Sequence, residues 1–298
     1  MPELKDLLKT VQKSNDSIES IVADAKNNKY IAPIIKEFDL SDDEIVRYYP
    51  IIASFAEDKE AEKRCPGIDD CSLPTPHFIS SLKMEDGVLI REVHYCPCYQ
   101  RIIDRKKGYV VKDFDPALFK ATVGEIKRLN TGKTVLNNLG LAHKDSTKKW
   151  LFINDTDHIA DKYVVPYLNW CSEKGMKVAF VDYPKYVERI KNLPRFQVEN
   201  FNAEMNLLEN VDVLVLNNFG SEYKSEYCRD TILMPILRAR GIKKAETVLI
   251  SAYDRSDIKD LYSGNSVSGR VTVKELDNIL NSNLYKDIAI KAGIEEQF

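Results

Sequence analysis

Apolar residues recur at helical spacing through the first sixty positions. Leu4, Leu7, Leu8 and Val11 share one face, followed by Ile18, Ile21 and Val22. A second stripe opens at Ser41-Asp-Asp-Glu44, the spacing of a capping box, in which the serine accepts from an amide three residues on and the glutamate reaches back. It continues through Ile45, Tyr48, Tyr49, Ile52 and Phe55. Residues 3–60 are therefore predicted to be helical, with plain bundle faces. The pattern then changes to alternation: residues 78–84 and 88–95 flank Glu85-Asp86-Gly87, which predicts a β-hairpin. Residues 101–107 are basic and Lys106-Lys107-Gly108 reads as the exit into a linker. Residues 108–148 are polar and weakly periodic, with a helical stretch over 119–129.

From residue 149 strands and helices alternate. Strands are predicted at 150–153, 177–182, 211–216 and 247–252, with a last short one at 287–290. Helices are predicted at about 158–174, 184–192, 225–240 and 272–281. Near-continuous apolar strands separated by helices predict a parallel α/β sheet. The chain divides on this reading into a helical and hairpin domain (1–107), a linker with a lead-in helix (108–148) and an α/β domain (149–298).

Composition narrows the function classes. In 298 residues, 44% hydrophobic and 30% charged content is that of an ordinary globular protein with room for two domains. A net charge of −3 gives no general pull toward nucleic acid or anionic membrane. The opening Met1-Pro-Glu-Leu-Lys runs into a charged amphipathic segment, not a secretory signal, and no apolar run approaches the roughly 20 residues of a membrane span. The expectation is a cytoplasmic protein without a membrane partner.

Cysteine placement carries chemistry. Cys65, Cys71, His77, Cys96 and Cys98 put five candidate ligands within 34 residues, and the stretch holds four of the six cysteines. Zn²⁺ takes four tetrahedral ligands, and a hairpin brings its two ends together, so the cluster predicts a structural zinc site. Which four of the five bind is open. His94 alternates with Cys96 and reads as a cross-strand residue; Cys171 and Cys228 read as buried thiols on helices.

Two strand ends are equally informative. In P-loop ATPases one strand opens into GxxxxGK[ST], whose amides hold phosphate, and another ends in acids that position Mg²⁺ and water. Here the strand at 150–153 opens into Asn154-Asp-Thr-Asp-His-Ile-Ala-Asp161. With Asn154 at the first glycine position, the second glycine falls at Ile159, the lysine at Ala160 and the hydroxyl residue at Asp161. Asp155, Asp157 and Asp161 then put three carboxylates where a triphosphate would lie; at a helix start they satisfy free amides and oppose the dipole. The strand at 211–216 ends in Asn217-Asn218, which cannot supply the charge that holds Mg²⁺. ATP and Mg²⁺ are not expected to bind, and the chain reads as a pseudo-ATPase, not an enzyme. Thr131-Gly-Lys-Thr134 contains GKT, but Lys127 stands where the first glycine belongs and no apolar strand precedes it; it reads as a helix end and turn.

These regions together resemble bacterial replicative-helicase loaders of the primosomal DnaI type (DnaC/DnaI-like AAA+), over most of the chain at low identity. Cys65 to Cys71, His77, the hairpin and Tyr95-Cys-Pro-Cys98 look like that family's N-terminal zinc module, although Glu62 replaces the first cysteine of its usual CxxC, so Cys71 or Cys98 must supply the remaining ligand. Leu214-Val-Leu-Asn-Asn-Phe-Gly-Ser-Glu222 is similar to the family strand ending in Asp-Asp-hydrophobic-Gly-Ala-Glu, and Arg229-Asp230 and Arg240 follow it. Val181-Asp-Tyr-Pro184 looks like the preceding strand. Residues 247–251 fit the sensor strand, with Ala252 or Tyr253 at the polar sensor position, and Arg270 is either the trans-acting arginine or a plain surface charge. The resemblance implies an AAA+ fold for the C-terminal domain and an N-terminal domain that grips the hexameric replicative DNA helicase. In nucleotide-switched loaders it also implies contact with single-stranded DNA. Two other readings stand beside it. Asp182 and Asp212 at strand ends could belong to an unrecognised α/β active site. Arg101, Arg105, Lys106, Lys107, Lys148 and Lys149, with Tyr99 and Tyr109, could form a nucleic-acid surface.

Overall fold

The computed structural model describes residues 18–193, 198–263 and 267–291. The predicted stripe at Leu4, Leu7, Leu8 and Val11 lies outside these residues. The chain forms two compact units, Met1–Arg101 and Ile102–Phe298.

The first unit contains α1 (18–27), α2 (Ala32–Glu37), α3 (Asp42–Lys63) and the antiparallel pair β1 (Phe78–Glu85) and β2 (Val88–Tyr95). α4 (Pro97–Gly108) begins here and ends in the second unit. The capping box forms as its spacing dictates: Ser41 Oγ accepts from the Glu44 amide at 3.4 Å and the Ser41 amide donates to Glu44 Oε2 at 2.9 Å. Ile45, Tyr48 and Ile52 bury one face of α3 against Val22, Ala25, Ile31 and Ile34, and Leu89 of the hairpin closes this core. The hairpin pairs Glu85 with Val88 through to Phe78 with Tyr95. Asp86 and Gly87 both have positive φ (50° and 77°), which a two-residue turn matching strand twist requires. Beneath it Asp58 accepts from the Ser80 hydroxyl and pairs with Arg91 Nη2 at 2.7 Å.

In the second unit the strands are β3 (Tyr109–Lys112), β4 (Trp150–Asp155), β5 (Val178–Asp182), β6 (Val213–Asn217), β7 (Glu246–Ser251) and β8 (Leu284–Ile290). They form one parallel sheet in the order β3-β5-β6-β7-β4-β8. The helices are α5 (Val123–Ile126), α6 (Asn130–Lys144), α7 (Asp161–Glu173), α8 (Tyr183–Lys191), α9 (Val198–Asn210), α10 (Met234–Lys243), α11 (Ile258–Tyr262) and α12 (Val267–Asn283). A π-helical turn over Cys228–Leu233 leads into α10. Separate apolar layers cover the two sheet faces, so the strands are buried on both sides and read as continuous apolar runs. The second unit is thus a six-stranded parallel sheet with helices on both faces.

The expected linker at 108–148 is integral to this unit. Tyr109 starts a sheet strand and donates its hydroxyl to Asn169 Oδ1 at 2.9 Å. The Asn169 amide in turn holds the carbonyls of Leu118, Phe119 and Ala121 at 2.9–3.3 Å. α6 packs through Val135, Leu136 and Leu139. The division also falls earlier than residue 107, because Arg105 bonds Glu173 and the Phe119 carbonyl, both at 2.6 Å. No helix among the described residues is long and apolar enough to cross a membrane.

Candidate functional site

Because the strands are parallel, their C-terminal ends share one edge of the sheet, where α/β folds place ligands. Neighbouring β6, β7 and β4 bring Asn217, Ser251 and Asp155 to that edge. Asp155 is 3% exposed and its two carboxylate oxygens accept from the amides of Ile159 at 3.1 Å and Ala160 at 2.7 Å. His158, at φ 55°, lets the chain turn back onto the carboxylate before α7 begins. Ile159 and Ala160, at the second glycine and lysine positions, are both buried.

The three acids do not act together as the sequence suggested. Asp155 takes the Ile159 and Ala160 amides. Asp157 is exposed and receives the Thr156 hydroxyl at 3.3 Å. Asp161 is partly buried and accepts from the next amide, Lys162, at 2.8 Å. Burial pushes its carboxyl above the ordinary range, against that amide bond, and the nearby Asp155 and Asp115 charges add to the rise.

The exit of β6 is likewise closed on itself. Asn218 (φ 56°) and Gly220 (φ 88°) form a tight turn that buries Phe219 between Tyr183 and Tyr262, at ring separations of 6.1 and 5.7 Å. Glu222, 4% exposed, accepts from the Gly220 amide at 3.0 Å and from the Tyr262 hydroxyl. Lys224 donates to the Gly220 and Glu222 carbonyls, and burial lowers its ammonium. The Tyr183 hydroxyl is buried without a hydrogen-bond partner among the described residues. Sequence reading met Glu222 only as the last letter of a motif. Its partner stands 40 residues on, a pairing that no local pattern announces.

Other sequence candidates have structural roles. Asp182 caps α8, accepting from the Lys185 amide at 3.5 Å and its ammonium at 2.7 Å. Asp212 accepts from the Lys177 amide at 2.7 Å. Arg229 grips Asp230 at 2.7 and 2.9 Å and the Tyr262 carbonyl at 3.1 Å. Arg240 is fully buried and bonds Thr247 Oγ1 and the carbonyls of Leu208, Val211 and Glu246. Arg270 is exposed on α12. On the sensor strand, Ser251 Oγ accepts from the Tyr253 amide at 3.1 Å. The GKT tripeptide lies in the first turn of α6, a helix start and not the expected helix end. A Cβ on Gly132 would stand 2.4 Å from the Ile126 carbonyl oxygen and 3.1 Å from the Tyr163 ring, so close packing explains this glycine. The basic residues also fail to form one surface: Arg105 is buried in its ion pair, Tyr109 is buried and Tyr99 stacks on His77 at 4.8 Å. Cys171 and Cys228 are buried free thiols, and His94 pairs across the hairpin with Ile79, as read.

In the first unit, Cys71, Cys96 and Cys98 pack in one small cluster with Leu73, Ile79 and Tyr99. Cys71 Sγ accepts from the His77 amide at 3.3 Å and Cys96 Sγ from the Tyr99 amide at 3.4 Å. A backbone hydrogen bond at Gly67 acts to lower the Cys65 thiol, but burial and the adjacent Cys98 and Cys71 thiols outweigh it and the net shift is upward. His77, at φ 70°, has a buried Nδ1 with no hydrogen-bond partner among the described residues. Amides aimed at sulfur and an orphaned imidazole nitrogen are what a thiolate–imidazole metal set requires. Among the described residues, no three His, Cys, Asp or Glu side chains stand at metal-holding geometry.

No protein-family model matches the chain. In sequence it is 20% identical over 219 residues, 70% of each chain, to the replicative helicase loader DnaI of Bacillus subtilis (strain 168). In structure it is similar to crystallised DnaI, with a TM-score of 0.52 and 17% identity over 62% of this chain and 98% of that one. The crystallised DnaC helicase loader aligns with a TM-score of 0.44 and 20% identity, over 59% of this chain and all of that one. The motifs at Cys65–Cys98 and 214–222, the sequence match and the shared fold point the same way: this chain resembles the DnaC/DnaI-like helicase loaders.

Proposed function

We propose that this is a primosomal DNA-replication protein that binds the hexameric replicative DNA helicase through its first unit, with a second unit that serves as a scaffold and does not hydrolyse ATP. The resemblance to DnaI supports the partner. The observation that carries the second half is the seat of Asp155: its carboxylate occupies the two amides at the start of α7, the position from which a P-loop would hold phosphate. At the β6 exit, Asn217 and Asn218 stand where a carboxylate would hold Mg²⁺. Calorimetry with Mg-ATP tests this directly. No heat of binding is expected, whereas micromolar affinity would overturn the pseudo-ATPase reading. Failure to co-migrate with the host helicase would overturn the partner.

A structural Zn²⁺ completes the first unit on this reading. His77, with its unpartnered Nδ1, and three of Cys65, Cys71, Cys96 and Cys98 would hold it. The ion would supply folding energy to a hairpin end with little core of its own. One zinc per purified chain is expected.

One observation favours a second partner. Tyr223 is 69% exposed and Lys191 Nζ lies 4.1 Å from its ring centroid, the pairing of aromatic and cation that single-stranded DNA uses. Binding that weakens steeply with salt and is lost in Tyr223→Ala would support it; salt-independent or absent binding would remove it.

A further inference from the structure

The two sheets end in strands that are guarded to different degrees. β3, at one edge of the large sheet, is four residues long, carries Lys112 and has a bulge between Tyr109 and Val111. Short length, a lysine and a bulge are the devices by which natural edges refuse further strands. β2 has none of them. It is eight residues long, pairs with β1 without a register shift and contains no glycine, proline or lysine. Val88, Val93 and Tyr95 are 50%, 57% and 41% exposed, and Glu92 and His94 are exposed between them. Among the described residues no strand covers its outer edge.

We propose that this edge pairs with β2 of a second copy of the chain, antiparallel, about a twofold axis at Val93. A twofold normal to the sheet sets residue i opposite residue j with i and j equidistant from the axis, so few registers exist. Centring on Arg91 or Glu92 would put like charges face to face. Centring on Val93 puts Val93 against Val93, Glu92 against His94 and Arg91 against Tyr95. Each of the latter pairs occurs twice, joining acid to imidazole and cation to ring. The result is a four-stranded sheet in the order β1-β2-β2-β1. Its outer strands lie roughly 14 Å apart at about 4.8 Å per strand. α3 packs more on β1 than on β2, so the two helices share a face with room for the 8–10 Å or so that helix pairs need.

Sedimentation velocity of the full chain across a wide concentration range tests this. The wild type is expected to pass from monomer to dimer, because so small an interface is weak. Val93→Lys, an exposed position whose change leaves thermal unfolding unmoved, is expected to abolish the dimer. His94→Glu, which sets two glutamates opposite each other, should weaken it roughly fivefold to tenfold. Adding Glu92→His to His94→Glu should restore it. A wild type that stays monomeric at hundreds of micromolar, or a dimer indifferent to Val93→Lys, would overturn the proposal. So would hydrogen exchange that protects the β2 amides only when helicase or another protein is added, since the edge would then belong to a different partner.

Discussion

The cysteine end of the hairpin and the β4 exit pose the same problem with opposite outcomes. Each gathers groups suited to an outside ion. At the hairpin, His77 Nδ1 is buried with no hydrogen-bond partner, and thiols face one another under amides that point at sulfur. At the β4 exit both Asp155 oxygens are bonded within the chain, and at the β6 exit Glu222 is held by an amide and a hydroxyl, although the Tyr183 hydroxyl beside it is not paired among the described residues. Motif residues alone do not distinguish a buried group left without a partner from one bonded within the chain. The hydrogen-bond inventory does.

The contrast can be broken most forcefully at the hairpin. Chelation is expected to unfold the first unit, since structural zinc contributes on the order of 10 kcal/mol to small modules. Circular dichroism with metal analysis on the same sample would show it, and His77→Ala should release the ion. An unchanged melting curve after complete zinc removal would make the two regions alike. Next in size, Asp155→Ala leaves the Ile159 and Ala160 amides without their acceptor and should cost about 3 kcal/mol in urea unfolding. A loss below about 0.5 kcal/mol would mean that the carboxylate does not hold the loop.

A smaller effect has a definite sign. Asp161's carboxyl is raised in the folded protein, so the native state binds that proton more tightly than the unfolded chain does. Its contribution is present below the unfolded carboxylate pKa of about 3.9 and is lost as pH rises through the folded value. Asp161→Asn should therefore stabilise the protein at neutral pH, with the gain vanishing near pH 4; an equal gain at both would assign it to something other than charge. The smallest expected effect is none: saturating Mg-ATP should leave the second unit's melting temperature in place, and any upward shift would show binding to the native state.

How much of this was legible in the sequence varied with range. Strands buried on both faces announced themselves as apolar runs, so β4 to β8 were found within a few residues. The Ser41 capping box and the Asp86-Gly87 turn were equally plain, because each is chemistry among near neighbours. β3 was read as linker because four residues cannot establish a period, and its anchor Asn169 lies 60 positions away. The acids at β4 were visible as acids. That Asp155 turns back onto amides four and five residues ahead, while Asp157 faces solvent, depends on a left-handed His158 that no propensity foretold. GKT lacks the apolar strand that a phosphate loop requires before it, and only the fold supplies the steric reason for its glycine.

One consequence of the Asp155 seat concerns dilution. A solute competing for those amides meets a rival tethered to them by three intervening residues. Well-oriented groups on one chain reach effective concentrations far above molar, beyond what a freely diffusing solute attains. The occupant neither diffuses away nor is consumed. On the proposed pseudo-ATPase reading it travels with the protein from synthesis onward, and the state of the loop does not follow the supply of nucleotide.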